Sequence, residues 1–188
     1  MRIVILGIPM RSRDGGNGLA ATYRGLVREL EARGHDVLRL ERAPRVKRNK
    51  SRKVPHEQTQ TYRSVADLKN RYAPSVRDAH VVIVGPNVPD SADVGMWVTR
   101  VARGITAFYD SDTSETLEEL AHGDEHKLTP ELLPKFDLYL SVTGGPALKK
   151  LEQKYRPHMA RALNGSPPDR ASQLERYVAE AITGQLMA

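Results

Sequence analysis

Short apolar runs that end at glycine or turn residues recur along this chain, and patterns typical of amphipathic helices lie between them. These runs occupy residues 2–6, 36–40, 80–84, 105–109 and 138–142. Continuous apolar strands that alternate with helices are typical of a parallel sheet covered on both faces. The pattern therefore predicts an α/β fold built as a doubly wound parallel sheet.

The composition narrows the chemistry that the chain can perform. The 188 residues include no cysteine, which excludes disulfides, thiolate metal sites and a cysteine nucleophile. No stretch approaches the ~18 apolar residues of a membrane helix, and the apolar start MRIVILG is too short for a signal peptide. His122 and His126 flank Gly123, Asp124 and Glu125, and the Gly-Asp sequence favours a loop over a metal-binding helix. We expect a soluble, cytoplasmic protein with no membrane span, no metal and no cofactor.

Residues 42–53 form a strongly basic segment in a chain whose net charge is +6. Its basic residues are Arg42, Arg45, Lys47, Arg48, Lys50, Arg52 and Lys53. Like charges at this density repel one another, so a solvated loop is one interpretation. The alternative is a binding or scaffold module that recruits an anionic partner through the segment. No aromatic residue lies within it to stack on bases, which disfavours nucleic-acid binding.

Four segments follow predicted strands, and ligands of open α/β sheets bind beyond the carboxyl ends of strands. They are residues 7–18, 85–90, 110–113 and 143–146. Small residues before a helix let backbone N–H groups approach an anion, although no standard dinucleotide or P-loop fingerprint follows the first strand. A plain turn with Asn17 as the N-cap is the alternative there. The predicted ligand-binding residues are Gly16, Asn17, Gly18, Asn87, Thr143, Gly144 and Gly145.

Asp110 and Asp112 are the predicted catalytic residues. They lie two positions apart just past an apolar strand, where carboxylates could act as a base or accept hydrogen bonds from hydroxyls. Asp112 and Glu115 also have the spacing of an N-cap and its N3 partner, so a structural cap is the alternative for Asp112. Both interpretations stay open at this point.

The organisation of the chain changes after Leu163. Residues 164–168 contain the linker-like run Asn-Gly-Ser-Pro-Pro, and residues 169–183 show one clean amphipathic face. We predict that Ser166 caps this helix while Asp169 reaches back, and that the helix packs on the domain or on a partner. Earlier in the chain, Asp90 is predicted to cap a helix, and Pro74 to interrupt one that starts at Ser64.

Four longer motifs resemble the CgeB-like family of GT-B glycosyltransferases. They are RGITAFYDSDT at 103–113, DLYLSVTGGP at 137–146, GNGLAATYR at 16–24 and ARGHDVLRLER at 32–42. The resemblance covers residues 1–163 and implies a Rossmann-like N-terminal domain that holds the sugar acceptor. It also implies that residues 169–183 are the family's closing helix, and that the domain binding the nucleotide-sugar donor is missing.

The resemblance therefore implies half a glycosyltransferase, which binds a sugar acceptor or nucleotide sugar and transfers weakly or not at all alone. Without the second domain, Met10, Pro86, Val88 and the loops at Asp110 and Thr143 would face solvent. A second copy could cover this face around a two-fold axis, so a homodimer is predicted, with a monomer as the alternative. A dinucleotide-dependent oxidoreductase is disfavoured because the glycine spacing is wrong.

Overall fold

A computed structural model describes residues 1–7, 18–43, 59–123 and 128–187. Within these ranges seven parallel strands form one sheet in the order β3-β2-β1-β4-β5-β6-β7. The strands are β1 (Arg2–Leu6), β2 (Asp36–Arg42), β3 (Thr59–Tyr62), β4 (Val81–Val84), β5 (Ile105–Asp110), β6 (Leu138–Ser141) and β7 (Ala160–Ala162). The predicted doubly wound α/β fold is confirmed.

Six α-helices and one short 3₁₀ turn are described between and after these strands. The helices are α1 (Gly18–Ala32), α2 (Val65–Arg77), α3 (Ser91–Val101), α4 (Thr113–His122), α5 (Gly145–Tyr155) and α6 (Pro167–Met187), and the turn is Leu133–Lys135. None of the helices in the described ranges combines the length and the apolar character that crossing a membrane requires.

The two faces of the sheet are covered by different sets of helices. Ile3 and Ile5 pack in one core with the inner residues of α1 and α6. Val4 and Leu6 point the other way, into a second core that contains the buried residues of α2, α3, α4 and α5. Successive residues of a strand face opposite sides, so the fully apolar strands serve both cores at once.

The sheet reverses its strand order at β1. This strand pairs with β2 on one side and with β4 on the other. In open α/β sheets such a reversal opens a crevice beyond the carboxyl ends of the two strands. Gly7 leaves β1 at this point, and its amide donates to the carbonyl of Leu40 over 3.4 Å.

The final helix packs back on the domain, which was one of the two predicted alternatives. Ser166 donates from both its backbone N–H and its hydroxyl to Asp169 Oδ2, as the capping pattern predicted. The helix begins at Pro167 and ends at Met187, so it is longer than the predicted 169–183. Pro167 approaches α1 so closely that a Cβ on Gly25 would lie 2.8 Å from the proline ring.

Two local predictions are wrong. Asp90 occupies the N-cap position of α3, but its backbone is left-handed (φ 58°) and its side chain makes no capping bond. Its carboxylate instead accepts from Arg42 Nη1 at 2.9 Å, so pairing with a guanidinium replaces the cap. The helix that starts after Ser64 does not stop at Pro74 but continues to Arg77, and the Pro74 carbonyl accepts from Asp78 N.

Gly7→Ala is expected to lower the free energy of unfolding by about 3 kcal/mol, because two effects add. The residue has φ +65°, and a Cβ there would lie 2.1 Å from Val88 Cγ2 and 2.6 Å from Val88 N. Gly34→Ala is the matched control, since Gly34 has φ +81° with open space around a Cβ. It should cost only about 1 kcal/mol in the same urea titration. Equal losses would show that the approach of Val88 is not tight.

Glu175→Gln is expected to destabilise the protein at pH 7 and to have little effect at pH 3. Glu175 accepts from His35 at 2.7 Å and from Arg33 at 2.9 Å, and these contacts hold the pKa of Glu175 below its ordinary value of 4.5. A lowered acid pKa stabilises the fold above the unfolded value, and this contribution is lost as the pH falls. The Glu175 side chain is about a third exposed, so the effect should stay near 1 kcal/mol or less. Glu152→Gln, at an exposed site on α5, is the control and should change the stability at pH 7 by no more than about 0.5 kcal/mol.

Candidate functional site

A pocket of about 110 Å³ lies beyond the carboxyl ends of β4 and β5. It opens between the turn that follows β4 and the start of α4. Its lining comprises Pro86, Asn87, Ser91, Phe108, Asp110, Ser111, Asp112, Glu115, Thr116, Glu119 and Leu128. Among these lining residues four are acidic and none is basic. We refer to it as the acidic pocket.

Asp110 is a buried carboxylate that three donors hold in place. Its Oδ1 accepts from Thr116 Oγ1 at 2.9 Å and from the backbone N–H of Asp112 at 3.1 Å. Its Oδ2 accepts a short hydrogen bond from the Tyr139 hydroxyl. Burial raises the pKa of Tyr139, and the charge of Asp110 raises it further, so the phenol stays protonated and donates. Only 1% of Asp110 is exposed, which makes its carboxylate an anchor between β5, α4 and β6.

Asp112 caps α4. Its Oδ1 accepts from the backbone N–H of Ser114 at 2.9 Å and of Glu115 at 3.3 Å. These are the bonds that the capping pattern predicts. The residue is exposed and also lines the acidic pocket, so the same side chain serves the helix start and the pocket rim.

The turn after β6 is fixed by a chain of hydroxyls. Ser141 Oγ bonds the Thr113 hydroxyl at 2.7 Å and lies 3.3 Å from Thr143 Oγ1. It also accepts from the backbone N–H of Gly144 at 2.9 Å. That amide is therefore engaged within the turn, and the predicted ligand role of Gly144 stays a prediction. Gly145 has φ +67° and open space around it. Glycine is therefore favoured there by the backbone conformation and not by the close approach of a neighbour.

The structure brings only some of the predicted site residues together. Asn87, Asp110 and Asp112 line the acidic pocket. Thr143, Gly144 and Gly145 lie in the neighbouring turn and are not among its lining residues. Gly18 begins α1, whereas Gly16 and Asn17 lie outside the described residues, as does most of the basic segment. What Gly16 and Asn17 bind stays a prediction.

Glu115 and Glu119 line the pocket, although the sequence indicated Glu115 only as a capping partner and did not indicate Glu119 at all. Residues four positions apart on a helix share one face, and α4 directs these two carboxylates along the pocket. Their spacing was the signal that could have revealed them. The carboxylates of the acidic pocket repel phosphate and can accept hydrogen bonds from the hydroxyls of a polyol. The class of ligand that suits this pocket is therefore narrower than the sugar- or phosphate-bearing ligand that the sequence predicted. No group of three or more potential metal ligands occurs among the residues described.

No family model matches this chain, and no curated protein matches it either. Solved structures of alpha-glucosyltransferase do match. One holds UDP and a 13-mer DNA containing an HMU base, with a TM-score of 0.53 and 14% identity over 89% of this chain and 42% of that chain. Another holds UDP alone, with the same TM-score and identity and 44% of its length covered.

The chain thus spans less than half the length of the enzymes that it matches. At 14% identity the likeness establishes the fold. The described chain is a GT-B-like half-domain, a Rossmann-like α/β sheet whose C-terminal helix packs on α1.

Proposed function

We propose that this chain is the acceptor-side half of a GT-B glycosyltransferase related to the CgeB-like family. It binds a sugar-bearing ligand in the acidic pocket and transfers sugar weakly or not at all alone. The observation that carries the proposal is the position of the pocket, beyond the carboxyl ends of β4 and β5 in a GT-B-like sheet. That edge is where open α/β sheets bind ligands.

The pocket chemistry supports a polyhydroxyl ligand. The carboxylates of Glu115 and Glu119 accept hydrogen bonds from hydroxyls, and Asn87 both donates and accepts. Phe108 contributes an apolar wall against which the C–H face of a sugar ring can pack. A volume of about 110 Å³ is below the usual size of a small-molecule pocket, so it is too small for a whole nucleotide sugar and leaves room for no more than one sugar ring.

Asp112 and Asp110 receive different roles in this proposal. The cap uses only Oδ1 of Asp112, so Oδ2 is the oxygen that accepts a proton or a hydrogen bond from the acceptor hydroxyl. Asp110 has both oxygens engaged inside the protein, and we assign it the task of positioning the 110–112 turn. Its predicted catalytic role becomes an indirect one.

Weak transfer is expected of these residues by themselves, because they span less than half the length of the matched enzymes. Orienting two substrates across a cleft can lower a barrier by about 7–11 kcal/mol. The matched glucosyltransferases hold UDP and are more than twice as long as the matched part of this chain. A chain without a donor-binding wall loses most of that orientation. Turnover of a nucleotide sugar near 1 s⁻¹, an ordinary enzyme rate, would contradict this part of the proposal.

A thermal-shift screen of glycosides and nucleotide sugars tests binding. A ligand at 100 times its Kd should stabilise the fold by about 2.7 kcal/mol. Glu115→Gln should weaken glycoside binding about tenfold or more, because a charge-assisted hydrogen bond is lost. Glu118→Gln is the matched control, since Glu118 lies on the same helix but outside the acidic pocket. Equal affinities for the two variants would place the sugar elsewhere.

The homodimer also remains a proposal, and its surface is smaller than the sequence predicted, because Val88 and Asp110 are buried rather than facing solvent. Light scattering behind a sizing column should give the mass of two chains at micromolar concentration if a second copy covers the carboxyl edge. A single-chain mass across that range would rule the dimer out.

A further inference from the structure

Three hydrogen-bond donors lie buried without a partner among the described residues, on the face of the sheet that α1 and α6 cover. They are the hydroxyls of Tyr23 and Tyr109 and the Nε of Arg170. Neither tyrosine has any exposed surface. Their rings meet edge to face with centroids 5.0 Å apart.

Arg170 reaches this cluster from the first turn of α6, where its backbone N–H donates to the Ser166 carbonyl. Burial raises the pKa of Tyr109 to about 12, and the positive charge of Arg170 opposes that rise. Burial also raises the pKa of Tyr23, and the charges of Tyr109 and Asp110 add to the rise, while a hydroxyl contact with Ser111, outside the geometry of a full hydrogen bond, and the charge of Arg170 oppose it. Both phenols are therefore protonated at neutral pH, and the guanidinium lies within electrostatic reach of both.

Unpaired buried donors cost free energy, and native proteins keep few of them. Phenylalanine would fill the same space at positions 23 and 109 without that cost. The Asp110 carboxylate lies within electrostatic reach of Tyr23 but already accepts three hydrogen bonds. The three unpaired groups are all donors and one carries a positive charge, so their natural complement is an oxygen that carries negative charge and several lone pairs. A phosphoryl oxyanion has both properties.

We propose that Tyr23, Tyr109 and Arg170 bind the oxygens of a phosphate group. Arg170 and Ser111 are half-buried, so the anion enters past these two side chains. Ser111 lines the acidic pocket as well, and the two sites therefore flank the same 110–112 turn. This anion site does not depend on the proposed sugar transfer, and it uses none of the glycine-rich turns from which the sequence predicted ligand contacts.

Calorimetric titration of the full chain with inorganic phosphate, at constant ionic strength, tests the proposal. Saturable binding is expected, and Arg170→Met and Tyr109→Phe should each raise Kd about tenfold or more. Arg100→Met is the matched control, because Arg100 is exposed on α3 against the opposite face of the sheet. It should leave the Kd unchanged. The proposal fails if phosphate does not bind at about 10 mM, or if Arg170→Met and Arg100→Met behave alike.

The stability of Tyr109→Phe without phosphate separates an anion site from a purely structural hydroxyl. If the Tyr109 hydroxyl bonds only to the ligand, its removal in Tyr109→Phe should not lower the Tm of the free protein, because the hydroxyl has no partner there. A lower Tm together with an unchanged phosphate Kd would overturn the proposal, since it would mean that the hydroxyl bonds only to an ordered water.

UDP and uridine identify the source of the phosphate group. If the group belongs to a nucleoside diphosphate, UDP should compete with inorganic phosphate and uridine should not. If free phosphate is the ligand, UDP should fail to compete while phosphate still binds through Arg170. Neither result depends on Glu115→Gln, which reports on the acidic pocket, so the failure of one site can be told from the failure of the other.

Discussion

Leu174→Ala is expected to lower the free energy of unfolding by about 3 kcal/mol. Leu174 has no exposed surface and packs in the core that α6 forms with Tyr109, Leu138 and Leu140. Truncating a buried leucine removes its transfer free energy and leaves a cavity that its neighbours fill only in part. Urea titration followed by circular dichroism measures the loss.

Ile182→Ala on the same helix is the matched control. Ile182 is 44% exposed, so its truncation should change stability by no more than about 0.5 kcal/mol. Deleting residues 164–188 should abolish cooperative unfolding, because α1 and α6 share the covering of one whole face of the sheet. If Leu174→Ala costs as little as Ile182→Ala, α6 is not an integral part of the domain.

The strands that the sequence predicted are the five interior strands of the sheet, β1, β2, β4, β5 and β6. Every residue of β4, β5 and β6 is buried, so each appears in the sequence as a continuous apolar or nearly apolar run. The strands that it missed are at the two edges of the sheet. Only Tyr62 of β3 is fully buried, and β7 has three residues, one of them Arg161. Polar or very short edge strands carry no period that would distinguish them from loops.

The candidate site was predictable in position but not in detail. The sheet topology places residues after β4 and β5 beside each other, so Asn87, Asp110 and Asp112 could be grouped from the sequence. Asp110, and not Asp112, has both carboxylate oxygens engaged in internal hydrogen bonds, and this depends on Tyr139. Tyr139 lies 29 residues from Asp110 and contacts it only because β5 pairs with β6. No local pattern contains that contact. The unpaired donors of Tyr23 and Arg170 come together for the same reason, through the return of α6.

Asp110→Ala is expected to lower the free energy of unfolding by about 3 kcal/mol or more. The change removes one carboxylate and leaves three donors, from Thr116, Tyr139 and the Asp112 backbone, without their acceptor. Unsatisfied buried donors cost about 1–3 kcal/mol each, although hydroxyls that can rotate recover part of this. Thermal and urea unfolding of the purified variant measure the loss.

Asp112→Ala and Tyr139→Phe show whether Asp110 acts as an anchor. Asp112→Ala removes an exposed N-cap only two residues away and should cost about 1 kcal/mol. Tyr139→Phe keeps the Asp110 carboxylate but removes one donor, so it should cost about 2 kcal/mol, between the other two variants. If Asp110→Ala is no more damaging than Asp112→Ala, the buried carboxylate does not hold the turn, and a direct catalytic role for Asp110 becomes the better explanation.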